Sequence, residues 1–244
     1  MANTRTGFPW YNFPNKPTYM EFWDDFDRGG ATDATTWLTR GWDFDSDTGT
    51  AATGTTDATL GLLTLATTAA DNKWSQIQSQ SEICALTAGK KTDFMTRVSH
   101  SVVLVDVWVA GLFNADDAIL DTTGAATGVA ANLAVTDGVF FASSESDATL
   151  YGCVIRDSVL LTVSLATLTN ATYYDLAFTV DMDAATAGKG VAIFYVNGQE
   201  AGRINSVTMP YSAEETLAPS IALIARSATG STLTCDFIGA RQER

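Results

Sequence analysis

The chain has 244 residues, 46% of them hydrophobic, enough to bury a large core without cross-links. Its 28 acidic against 14 basic residues give a formal charge of −14, which repels polyanions and so excludes nucleic acid and anionic membrane surfaces as partners held by long-range attraction. Cys84, Cys153 and Cys235 lie far apart in apolar segments, so buried free thiols are expected and a disulfide framework or paired Cys-x-x-Cys zinc site is not.

Asp outnumbers Glu 21 to 7, and Asp favours turns where Glu favours helices, so the composition reads as strands joined by many turns. No run of about 18 apolar residues is present to cross a bilayer, and the first residues lack the apolar stretch of a secretory leader. A soluble product made in a reducing cytoplasm is expected.

Residues 1–20 hold three of the five prolines together with Phe8, Trp10, Tyr11 and Phe13, too aromatic for a solvated tail. They read as an extended arm that buries these four rings against a neighbouring subunit, and residues 21–244 read as one sandwich domain. Apolar segments follow at 22–26 and 42–44, and the stretch WDFDSDTG places Asp43, Asp45 and Asp47 at alternate positions. That spacing invites a calcium reading, but Thr48 and Gly54 stand where the helix-loop-helix motif wants Gly and a bidentate Glu. Residues 48–59 and 121–131 are rich in Thr and small side chains and read as loops or flat edges. Asp116, Asp117 and Asp121 form a second acidic cluster.

Strands are expected at 60–65 and 74–80, and a long alternating run spans 94–105. His100, the single histidine, lies in that run, nothing local organises a nucleophilic triad around it, and it reads as structural. Further strands are expected at 107–113, 138–143, 150–156, 158–166, 173–180, 191–196, 199–204, 220–224 and 232–238. Asn197-Gly198 between two of them is a strong signal for a type I′ hairpin, which sets Val196 opposite Gln199 and Phe194 opposite Ala201. More than a dozen strands without a convincing amphipathic helix imply an all-β fold of two stacked antiparallel sheets.

FWDDFDRGGATDATTW followed by LGLLTL resembles the opening of concanavalin A-like lectin and glucanase domains. The segment 173–204, with its Tyr-Val-Asn-Gly hairpin, resembles the laminin G-like pattern. The resemblance implies a jelly-roll sandwich. Glucanases of this superfamily carry a Glu-x-Asp-x-Glu strand, whereas the corresponding SVVLVDVWVAGLFN has Asp106 as its one carboxylate. A retaining glycosidase needs two carboxyls about 5 Å apart. Asp25 with Asp27, Glu145 with Asp147 and Asp181 with Asp183 share strand parity but fall at turns or strand ends. The chain is therefore expected not to be an enzyme, with no catalytic residue, cofactor or metal.

Trp23, Trp74 and Trp108 lie in strand patterns and read as core, while Trp37 and Trp42, in looser sequence, are candidates for stacking on a glycan. The domain also resembles jelly rolls of tailed-bacteriophage virion proteins. That resemblance implies a capsid decoration or cement protein, located in the virion, with capsid or other virion subunits as partners and a homo-oligomer, a trimer by analogy. The alternative reading is a carbohydrate-binding, lectin-like module of a tail or fibre component.

Overall fold

The computed structural model describes residues 19–26, 41–46, 53–57, 61–67, 72–80, 84–114, 119–120, 129, 133–145, 147–210, 216–227 and 229–243. Among the described residues all fifteen elements are β-strands, and they form two antiparallel sheets packed face to face. The eight-stranded sheet runs β13 (Gln199–Thr208), β12 (Lys189–Val196), β11 (Tyr173–Met182), β6 (Lys91–His100), β15 (Thr232–Glu243), β4 (Leu62–Ala66), β3 (Thr53–Asp57), with β1 (Tyr19–Asp24) also paired to β15. The seven-stranded sheet runs β10 (Val159–Thr167), β9 (Thr149–Arg156), β8 (Gly138–Ser143), β7 (Asp106–Asn114), β14 (Leu217–Ala225), β5 (Trp74–Ser79), β2 (Trp42–Ser46). The two-sheet all-β sandwich expected from the alternating segments is the architecture observed.

Period two accounts for most of the layering. On β11, Leu176, Phe178 and Val180 turn inward and are buried, while Asp175, Thr179 and Asp181 turn out. Phe94, Phe178, Phe141 and Phe194 meet between the sheets, with ring centroids 5.1 to 5.9 Å apart. Outside, Asp93 accepts two bonds from the Arg241 guanidinium and one from the Thr179 hydroxyl, and Lys91 sits 3.3 Å from Asp181. All three cysteines are buried and unpaired, and burial pushes the Cys84 and Cys235 thiols up to about 12.

Two local departures have physical causes. Asn197 (φ 51°) and Gly198 (φ 79°) form the expected turn and Val196 faces Gln199, but a bulge sets Phe194 opposite Gly202 rather than Ala201. The run expected to continue to residue 105 ends at His100, where the chain turns through Leu104 at φ 80°. Within the Thr-rich stretch 48–59, β3 forms an edge strand against β4. β1 begins at Tyr19, inside the segment assigned to the arm. Phe8, Trp10, Tyr11 and Phe13 lie outside the described residues.

Candidate functional site

The tryptophans divide differently from expectation. Trp42 is no platform: it is fully buried between the sheets, with Phe22 edge-on at 5.2 Å and its Nε1 donating to Asp24 Oδ2 at 2.7 Å. The alternation of β2 is the reason, since Trp42 and Phe44 share the inward face and Asp43 and Asp45 the outward one. Trp23 corrects the core reading in the other direction. It lies on the outer face of the eight-stranded sheet, 41% exposed, stacked on Phe237 at 4.9 Å. Gly239 makes room for it, because a Cβ there would lie 2.6 Å from the indole ring. Trp108 is buried as expected, and Trp37 lies outside the described residues.

Most of the paired carboxylates do local structural work. Asp147 accepts from the Thr149 amide at 2.6 Å and from the Tyr151 hydroxyl at 2.8 Å. Burial works against its charged form, but these bonds prevail and hold the carboxyl below its ordinary value. Asp183 accepts from the Ala185 amide and shapes the turn before β12. Asp27, Asp47, Asp116, Asp117 and Asp121 lie outside the described residues. Among the described residues no group of three or more His, Cys, Asp or Glu side chains is placed to hold a metal ion.

His100 acquires neighbours that no local sequence signal announces. Its Nε2 lies 3.1 Å from Ser231 Oγ and 3.8 Å from Asp106 Oδ2, across 131 residues in the first case. Both contacts fall on one nitrogen and Nδ1 has no partner, which differs from the relay that activates a serine through opposite ring nitrogens. All three side chains are buried. Asp106 points inward, and burial raises its pKa, with His100 pulling the other way.

The outer face of the seven-stranded sheet has two halves. Over its centre, Val107, Val109 and Phe113 of β7 join Phe140, Ala142, Ala222 and Ile224 in a second apolar cluster. Ile119, Leu120, Val129 and Val135, from the connection between β7 and β8, cover it. The outward row of β7 therefore carries no carboxylate. Toward the β2 edge the face turns polar. Trp74, Gln76 and Gln78 follow one another outward along β5, with Asp45 opposite Gln76 and Asp43 opposite Gln78.

The two amides are structural. Gln76 Oε1 accepts from the Ile119 amide at 2.9 Å and pins the cover, and Gln78 Nε2 donates to Ser220 Oγ at 3.0 Å. What remains toward solvent is an exposed pair of carboxylates beside a half-buried indole. The sequence reading assigned Trp74 to the core and missed this ledge. Its signal was the alternation of WDFDS and WSQIQS, legible once the two strands are known to pair.

No protein family and no curated protein matches the sequence. Solved structures do. An endo-1,3-beta-glucanase from Streptomyces sioyaensis superposes with a TM-score of 0.62 at 11% identity, over 95% of this chain and 99% of that one. The potassium-bound carbohydrate recognition domain of Emp46p gives 0.58 at 8% identity, over 88% and 94%. An endo-beta-1,4-glucuronan lyase from the fungus Trichoderma reesei gives 0.53 at 10% identity, over 90% and 94%. The fold is similar to that of concanavalin A-like glucanases and lectins. At such identities the likeness is one of fold. The expectation of a non-enzyme is corrected by the same comparison: a glucanase and a lyase use this sandwich over most of the chain, so an architecture that carries catalysis cannot argue against it.

Proposed function

We propose that the chain is a carbohydrate-binding, lectin-like module whose ligand lies on the β2 and β5 ledge. One observation carries this reading: Trp74 is half-buried on the same outward face as the exposed carboxylates of Asp43 and Asp45. A sugar ring needs an apolar surface for its C–H face and acceptors for its hydroxyls, and the ledge offers both side by side. The net charge of −14 favours neutral glycans over acidic ones. The likeness to a carbohydrate recognition domain supports the reading at the level of fold.

The test is a glycan array probed with the full chain, then with Trp74→Ala and Asp43→Asn. Neutral glycans are bound, and each substitution weakens binding by at least about tenfold, a loss of one good contact. Asp43→Asn, an isosteric change at an exposed position, leaves the melting temperature in place. An array silent to the wild-type chain overturns the proposal. Any glycan retained is then incubated with the protein and its chain length measured, because enzymes share this fold.

A second reading, a structural subunit of a larger assembly such as a virion, draws on a different feature. The β10 edge of the seven-stranded sheet exposes apolar side chains: Val159 is 65% and Leu161 40% exposed.

A further inference from the structure

Each edge strand of a sheet leaves half of its backbone amides and carbonyls unpaired along one side, and proteins commonly guard such edges with charge. Two of the edges here follow that habit. β2 carries Asp43 and Asp45, and β13 carries Glu200 and Arg203. β10 does not. Its sequence, VLLTVSLAT, has no charge, no proline and no glycine over nine residues, and among the described residues nothing pairs with its outer side.

Its exposed side chains are all uncharged, Val159 and Leu161 apolar beside Thr162, Ser164 and Thr167, and the ion pair just before it, Arg156 with Asp157 at 3.2 Å, neutralises itself. In a molecule of charge −14, a second copy is repelled over most of the surface and least at this strand. The strand is also self-complementary. Antiparallel pairing centred on Leu161 sets Leu161 against its twin and Val159 against Val163, apolar on apolar, with Leu160 against Thr162 on the opposite face. The bulge at Leu165, where β10 slips its register against β9, ends the straight segment and limits the pairing to about 158–164.

The other sheet's edge lies directly beneath. Gly202 of β13 is so close to Val163 and Leu165 of β10 that a Cβ there would lie 2.8 Å from Leu165. A twofold axis normal to the sheets therefore brings β13 beside its own copy as β10 pairs with its own, and both edges contribute toward the roughly 800 Å² per partner of a stable interface.

We propose that β10 is a homodimer interface, pairing antiparallel with β10 of a second copy so that the two seven-stranded sheets become continuous. The experiment is sedimentation of the full chain across the micromolar range. A closed species of twice the chain mass is expected, and Leu161→Lys weakens it by at least about tenfold while leaving the circular dichroism spectrum and melting curve of the monomer intact. Independently of any variant, amide hydrogen exchange along 159–164 slows as concentration rises. Deleting residues 1–18 leaves the dimer in place. Wild-type protein at the chain mass throughout, exchange at β10 that ignores concentration, growth into open-ended oligomers, or a dimer lost with residues 1–18 would each overturn the interface.

Discussion

Asp106 is fully buried between the sheets, where burial disfavours its charged form. His100 Nε2 lies 3.8 Å from its Oδ2. Burial raises its folded pKa above the ordinary carboxylate value of about 3.9. A raised folded pKa means that the fold holds the proton more tightly than the unfolded chain does. The resulting stability is complete below the unfolded value and is lost as pH climbs through the folded one. Asp106→Asn, permanently neutral, should flatten that decline and leave the protein more stable than wild type at neutral pH. Urea titrations from acid to neutral pH measure it, and parallel curves for the two proteins would count against the assignment. Nothing in the sequence marks this cluster, because Ser231 reaches His100 through the pairing of β6 with β15. Trp42 is the opposite case. WDFDS alone separates Trp42 and Phe44 from Asp43 and Asp45, so its inward position was there to be read.

At the scale of elements, the hairpin between β12 and β13 was the most legible part of the chain, and its energetics are local. Asn197 Oδ1 accepts from the Asp175 amide at 3.0 Å while its own amide donates to the Asp175 carbonyl, so the turn is tied to β11 as well as closed on itself. Gly198 occupies φ 79°, which a β-branched side chain tolerates poorly. Gly198→Val should cost about 1–3 kcal/mol, read as a lower denaturation midpoint with an unchanged slope. Strands buried on both faces were harder to read. Every residue of β14 is buried and β7 is buried up to Asn114, since one face meets the other sheet and the other meets the cover. The alternation that identifies a half-exposed strand is absent there. At the turn after His100, Leu104 takes a left-handed conformation without the Gly or Asn that signals one, which is why the alternating run reads too long.

For the molecule as a whole, composition and period two were sufficient for the sandwich, because each depends on neighbours along the chain. The candidate site depends on which strands lie side by side, and β2 and β5 meet across sequence that carries no pairing signal. The same scale governs charge. With 28 acidic against 14 basic residues, folding draws like charges together, and salt should relieve this more than it weakens the exposed ion pairs. Raising sodium chloride from near zero to about 0.15 M is expected to stabilise the fold by roughly 1 kcal/mol, a rise in melting temperature of about 3 °C by calorimetry. A fall would show that the ion pairs on the eight-stranded sheet outweigh the repulsion. Strand order has a further effect. β14 lies between β7 and β5, and β15 between β6 and β4, so the two strands latest in the chain fill interior positions of both layers. A growing polypeptide leaving the ribosome must therefore wait, with two open seams, until its final strands arrive to close them.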